Sequence, residues 1–168
     1  MRQVLLVIAL LFIITSCTKN SVYENNQLIK SVSWKTSDKL SYPVTITDTS
    51  YLYNIYINIR HTEDYHYRNI WLMSYATYPD GSTQSKRVEL NLADEEGKWY
   101  GHGVNNIWDA RILFQSDTHI TKPGQYTFAL EQDMREDPLP GIMAVGIRIE
   151  NTGIKRTSIA KDTSSVKN

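Results

Sequence analysis

The sequence predicts an all-β domain: a two-sheet antiparallel β-sandwich of about eight strands, set behind a cleaved lipoprotein signal peptide. Three observations predict it. The dominant hydrophobic period between residues 29 and 151 is two rather than 3.6. The apolar runs are short and separated by Pro, Gly and Asp turns. No long amphipathic helical pattern interrupts them. Strands of this length and spacing bury one face each, and two packed sheets are the usual way of doing so.

The chain opens with Arg2, an unbroken apolar run from Val4 to Ile14, and the small polar pair Thr15-Ser16 ahead of Cys17. This is the layout of a secretory signal. The apolar run has eleven residues, whereas a helix needs roughly 20 to cross a bilayer core, so residues 1–16 are expected to be removed. Ile14-Thr15-Ser16-Cys17 has the form of a bacterial lipobox, an aliphatic residue and two small ones before the cysteine that is alkylated. Cys17 is the only cysteine in the chain. It has no partner for an internal disulfide, and lipid attachment gives it a use. Each buried CH₂ of an acyl chain contributes about 0.8 kcal/mol, so more than one chain makes the tether effectively permanent. No Asp follows Cys17 and no acidic run lies beyond it in Thr18-Lys19-Asn20-Ser21. The expected location is therefore the outer membrane, lipid-anchored and facing the periplasm.

Residues 17–28 are polar and Asn-rich, without an apolar period, and are expected to form a lipidated flexible spacer. The sandwich domain then occupies residues 29–151. Weak strands are expected from Ser31 to Thr36, Tyr42 to Thr47 and Ala110 to Gln115. The strongest lies around Tyr51–Arg60, where Tyr51, Tyr53, Ile55, Ile57 and Ile59 share one face and Asn54, Tyr56, Asn58 and Arg60 the other. Asn69 to Tyr78 and Arg87 to Leu92 are expected to pair as a hairpin, because Pro79-Asp80-Gly81 between them supplies the dihedrals of a turn. Lys122-Pro123-Gly124 precedes a strand with Tyr126, Phe128 and Leu130 inward, and Val145, Ile147 and Ile149 line the last one. Residues 152–168 are rich in Ser, Thr and Lys and are expected to form a disordered polar tail.

Eighteen basic and eighteen acidic residues balance over the whole chain. Losing Arg2 with the signal leaves 17 basic against 18 acidic, which is not the basic excess of a nucleic-acid binder.

The segment His61-Thr62-Glu63-Asp64-Tyr65-His66 gathers two imidazoles and two carboxylates. On a strand, however, His61 and His66 point to opposite faces. A zinc site needs three or four convergent ligands, so the segment is read as a polar loop, with no metal and no cofactor. His102 and His119 lie in no nucleophile motif: there is no Gly-x-Ser-x-Gly, no His-Glu-x-x-His and no phosphate loop. The chain is therefore read as non-enzymatic. Gly97, Gly101 and Gly103 impose turns around Trp99 and Tyr100, with Trp108 close by. Trp99, Tyr100 and Trp108 are candidates for a surface that stacks on sugar rings or on a protein partner. The other reading is that the two tryptophans plug the open end of the sandwich.

Four groups of strings also stand in register. They are Asn58-Ile59-Arg60-His61-Thr62 with Asp64-Tyr65 and Asn69-Ile70-Trp71; Gly97-Lys98-Trp99-Tyr100-Gly101-His102-Gly103; Gly124-Gln125-Tyr126-Thr127-Phe128 with Glu131-Gln132-Asp133-Met134-Arg135; and Gly141-Ile142 with Val145-Gly146-Ile147-Arg148-Ile149-Glu150. Following a lipobox, they resemble the gliding motility lipoprotein H (GldH) family of the Bacteroidota, from about Tyr23 to Asn151. The resemblance implies a component or stabiliser of the gliding apparatus, which is tied to a protein secretion system across the outer membrane. It implies two kinds of partner, the membrane through lipidated Cys17 and envelope proteins of that assembly, with no nucleic acid. The family also occurs in species that do not glide. It offers no active-site motif, and only Cys17 carries over with a role. Arg60, Arg135 and Arg148 sit beside apolar strand residues, where paired ion bridges are expected. The alternative function is that of a glycan-binding β-sandwich lipoprotein of the cell envelope.

Overall fold

The structure, a computed structural model, describes residues 20–156; the expected signal peptide, Cys17 and the last twelve residues of the expected tail lie outside the described residues. The strands are β1 (Ser21–Leu28), β2 (Ser33–Trp34), β3 (Leu40–Ile46), β4 (Tyr51–Thr62), β5 (Asn69–Thr77), β6 (Thr83–Asn91), β7 (His102–Val104), β8 (Ile107–His119), β9 (Gly124–Gln132), β10 (Leu139–Pro140) and β11 (Ile142–Lys155). They form a five-stranded sheet in the order β1-β11-β4-β8-β7, a four-stranded sheet in the order β3-β9-β5-β6, and the small pair β10-β2. Every pairing is antiparallel, and the result is the sandwich that period-two alternation predicts.

The buried faces of β4, β9 and β11 are those read from the sequence, apart from Tyr51, which is half-buried where Leu52 is buried. Tyr53, Ile55, Ile57 and Ile59 of β4 and Val145, Ile147 and Ile149 of β11 face Tyr42, Val44 and Ile46 of β3, Ile70 and Leu72 of β5, and Tyr126, Phe128 and Leu130 of β9. Burying a large side chain of this kind contributes about 1.5–3 kcal/mol, and the chain has no second cysteine with which to staple the sheets. One polar bond crosses the core: the Tyr42 hydroxyl donates to the Val145 carbonyl at 2.8 Å, tying the two sheets together. Burial pushes that phenol well above its ordinary value, which keeps it a donor. Pro43 sits on β3 at the edge of its sheet, where the missing N–H costs no ladder bond.

The elements extend beyond the expected boundaries at both ends. Ser21–Leu28, expected to be spacer, is β1, in register with β11 from Glu150 to Ala144. Its polarity hid it, since an edge strand facing water on one side needs few apolar residues. Only Tyr23 packs against the core. At the other end β11 runs to Lys155, four residues past the expected end of the domain. The expected strand from Ser31 to Thr36 is broken: Ser31 and Val32 adopt positive φ of 56° and 51°, so a 3-10 turn at Lys30–Val32 replaces its first half and only the two residues of β2 remain.

Gly141 shows why the turn before β11 admits no side chain. Its φ is +79°, and a Cβ would come within 2.4 Å of the Tyr65 amide nitrogen. That close approach fixes the chain beyond β4 through the bond from Thr62 N–H to the Gly141 carbonyl, 2.8 Å.

Candidate functional site

The outer face of the five-stranded sheet is built from the positions of β4 that point away from the core, together with their neighbours. Register places Arg60 opposite Asp109 and Asn58 opposite Arg111, with Asn58 opposite Gly146 and Tyr56 opposite Arg148 on the other side. Glu24 of β1 lies opposite Arg148. Three arginines and three carboxylates therefore share one face, and they are paired with each other.

Arg60 grips Asp109 with two bonds, Nε to Oδ1 at 2.7 Å and Nη2 to Oδ2 at 3.0 Å. Arg111 reaches Glu24 Oε1 at 3.0 Å and Asn58 Oδ1 at 3.2 Å. Arg148 bonds both Glu24 and Glu150. Asn58 Nδ2 completes the set, donating to Glu24 Oε1 at 3.1 Å and to Asn26 Oδ1 at 3.0 Å. Glu24 is the hub. Burial alone raises its carboxyl, but the bond to Arg148 and the charges of Arg148 and Arg111 outweigh that and hold it below its usual value.

The Glu24–Arg111 bond spans β11 and β4, which lie between β1 and β8. At about 4.8 Å per strand the two backbones are three spacings apart, so long side chains bridge a bowed face. A depression of about 740 Å³ opens there, lined by Glu24, Asn26, Asn58, Arg60, Asp109 and Arg111. Beside Asn26, Gly146 admits no side chain, since a Cβ there would meet Asn26 Oδ1 at 1.9 Å. Leu28 and Val104 stand exposed at 79% and 71% on the outer strands β1 and β7.

The aromatic candidates are distributed differently. The Trp99 ring packs against the His61 ring at 4.4 Å between centroids, and Tyr65 is 5.6 Å from the same imidazole. Trp108 lies opposite both His61 and Gly103, with its ring filling the space where a Gly103 Cβ would come within 2.4 Å. The Trp108 Nε1 is buried and, among the described residues, has no hydrogen-bond partner. Tyr100 is exposed. Trp99 thus packs on the His61 and Tyr65 rings and Trp108 against Gly103, and among the described residues the Trp99, Tyr100 and Trp108 rings make no ring contact with one another.

His61 and His66 are separated. His61 is fully buried, its Nδ1 within 3.0 Å of the Thr62 carbonyl, which makes Nδ1 the protonated nitrogen of a neutral ring. Burial lowers its pKa. His66, His102 and His119 are exposed. Among the described residues, no three His, Cys, Asp or Glu side chains gather as metal ligands would. Arg60 and Arg148 have the ion bridges expected of them, whereas Arg135 is exposed and, among the described residues, makes no ion pair.

Sequence reasoning missed Glu24, Asn26 and Arg111. The only available signal was that the outward residues of the strongest strand, Asn54, Tyr56, Asn58 and Arg60, are all hydrogen-bonding types. Their partners depend on strand order.

Fold and surface together define a β-sandwich that presents a broad, internally paired polar sheet face. A family model described as GldH lipoprotein matches residues 21–149, from the first residue of β1 into β11, and the chain belongs to that family. It is thus one of a family of lipoproteins, proteins of the cell envelope held to a membrane by lipid. A relative from Christiangramia forsetii, named as a gliding motility lipoprotein GldH homolog, is 26% identical over 89% of this chain and 96% of its own length. The gliding motility lipoprotein GldH of Flavobacterium johnsoniae is 27% identical over 80% of this chain and 87% of its own. Among solved structures, the VP2 subviral particle of infectious bursal disease virus is similar over 79% of this chain and 30% of its own, at 13% identity and a TM-score of 0.32. A likeness that weak carries no argument.

Proposed function

We propose that the chain is a non-enzymatic component or stabiliser of a gliding motility or secretion assembly. It is tethered through lipidated Cys17 to the outer membrane on its periplasmic side, and it docks an envelope protein on the outer face of the five-stranded sheet. The observation that carries this reading is the set of ion pairs on that face, where Glu24 holds Arg111 and Arg148 and Asp109 holds Arg60 before any partner arrives. Preorganised side chains lose less freedom on binding. Arginines on an open face with exposed apolar residues on its outer strands suit a protein contact, and a face of mixed sign selects a partner by charge pattern rather than by net attraction. The relatives named for gliding motility supply the process. The glycan-binding alternative gains nothing from the arrangement of Trp99, Tyr100 and Trp108.

The test is crosslinked affinity capture of the full-length lipoprotein from its own cells, alongside Cys17→Ala and Arg60→Glu/Arg111→Glu versions. Motility or secretion proteins captured by the unaltered chain and lost in both variants support the proposal. Capture indifferent to the sheet-face change would move the contact elsewhere, and recovery of polysaccharide alone would end the scaffold reading.

A further inference from the structure

The two long sides of the sandwich are not alike. On one side Gln27 Nε2 of β1 bonds the Ser41 carbonyl of β3 at 2.7 Å, lacing the sheets together. On the other side, β7 covers β8 only at Ile107, Trp108 and Asp109, and beyond them β8 and β6 stand as facing free edges. Between these edges lies a cavity of about 480 Å³, inside the roughly 300–1,000 Å³ range of small-molecule sites. Ile55, Ala76, Phe114, Ile120, Tyr126 and Phe128 form its apolar wall. Ala76 and Phe114 point to the core yet remain only half-buried, so the interior is open at this side.

Two independent features distinguish the cavity from a packing gap. Where β8 lines it, the register against β4 slips twice, between Tyr53 and Ile55 and between Ile55 and Tyr56. Asp117 takes φ of 48° in that stretch, and its N–H is held by Asn54 Oδ1 at 3.0 Å. Paired bulges of this kind re-aim side chains beside functional sites. The second feature is charge. No Asp or Glu lines the cavity, while exposed Lys86, His119 and Gln84 stand at its mouth. Lys86 lies opposite Ser74 on the face of β6 that also carries Val88 and Leu90. Among the described residues it has no ion-pair partner. A lysine on the core-side face of an edge strand, lining an apolar cavity that no Asp or Glu lines, is complementary to a long apolar chain ending in an anion.

We infer that this cavity binds an anionic single-chain amphiphile, with the chain between the sheets and the head group on Lys86. The inference stands apart from the docking role above, since it uses none of the outer-face residues.

To test it, the mature lipoprotein is purified from its own cells, placed in phosphatidylcholine vesicles and irradiated with diazirine-bearing palmitic acid, and the adducts are mapped by peptide mass spectrometry. Labelling is expected in residues 74–78 and 112–121, displaced by oleate or by lysophosphatidate but not by oleyl alcohol. Which of the two anions competes better identifies the head group as carboxylate or phosphate. Labelling should fall about tenfold in Lys86→Glu, as loss of a charge-assisted bond requires, and vanish in Ala76→Trp, which fills the cavity. Lys86 is exposed, so its variant keeps the fold, and it decides the matter together with the head-group competition even if Ala76→Trp misfolds. Adducts scattered over the surface, equal displacement by oleyl alcohol, or labelling unchanged in Lys86→Glu would each overturn the inference.

Discussion

Glu24 and Asp109 both pair with arginine on the same sheet face, yet their surroundings differ enough to rank them. Arg148 is 11% exposed in its side chain and Glu24 29%, whereas Arg60 and Asp109 are 47% and 52% exposed. Removing Glu24 leaves a largely buried guanidinium with one carboxylate instead of two, so Glu24→Ala is expected to cost about 1–3 kcal/mol. Arg60→Ala should cost under about 1 kcal/mol, the usual value of an exposed pair. Urea midpoints of the two variants check the order, and equal losses would contradict it. His61 adds a pH dependence. Its pKa is lowered by burial, so in the acid range the unfolded chain binds a proton that the folded chain refuses. Stability is then full above the unfolded value of about 6.5 and falls as pH drops below it. Glu24, also lowered, keeps its contribution until pH falls below about 4.5 and loses it through the folded value. The unaltered protein should therefore weaken as pH drops below about 6.5, and His61→Phe should flatten that slope while leaving the drop below about pH 4.5 in place. A slope that persists unchanged in His61→Phe would assign it to other groups.

At the level of elements, β1 has few apolar contacts of its own and depends on a close backbone approach. A Cβ at Gly146 would meet not only Asn26 Oδ1 but the Asn25 carbonyl at 2.6 Å. Gly146→Val is thus expected to lift β1 from β11 while the interior sheets persist. Hydrogen exchange should then show residues 23–28 losing protection and β4 keeping it, and uniform loss would mean that β1 is part of the cooperative core. The same contrast explains what the sequence could and could not disclose. β4, β9 and β11 alternate in sequence because each turns its large apolar residues to the core, while small residues such as Ala129, Ala144 and Gly146 occupy buried positions on the other face. β1 carries only Tyr23 into the core, and the alternation it does have is between polar residues. β2 is cut short by two positive φ values that no propensity at Ser31-Val32 announces. The network around Glu24 was hidden for another reason: Glu24 and Arg111 are 87 residues apart and meet only because β1, β11, β4 and β8 are neighbours in that order. Alternation identifies a face but not the strand beside it. The packing of Trp99 was only partly within reach, because Gly-rich turns next to large rings allow both a platform and a plug, and the buried His61 ring against which Trp99 packs is not visible in the sequence.

Over the whole molecule the topology sets the kinetics. The five-stranded sheet joins the first described strand to the last, with Ser21 opposite Glu150, and its centre pairs β11 with β4, Ile147 against Ile57. None of these contacts forms until distant parts of the chain have met, and loop closure of that length must be compensated all at once by the burial that follows. Sandwiches dominated by such pairings fold in roughly milliseconds to seconds rather than microseconds. Trp34 is a suitable reporter: it is fully buried, its Nε1 bonded to the Asp38 carbonyl at 2.8 Å, and its strand pairs with β10 against Leu139, so it reports on contacts made across most of the chain. Stopped-flow refolding followed by tryptophan fluorescence should show a main phase in that time range. Leu139→Ala removes a fully buried side chain and, by the cavity it leaves, should cost about 2–5 kcal/mol. If the β10–β2 pair docks late, that loss appears chiefly as faster unfolding with the refolding rate nearly unchanged. A refolding rate that falls in proportion to the lost stability would instead place this pair in the nucleus, and the sandwich would then be organised from its small third sheet outward.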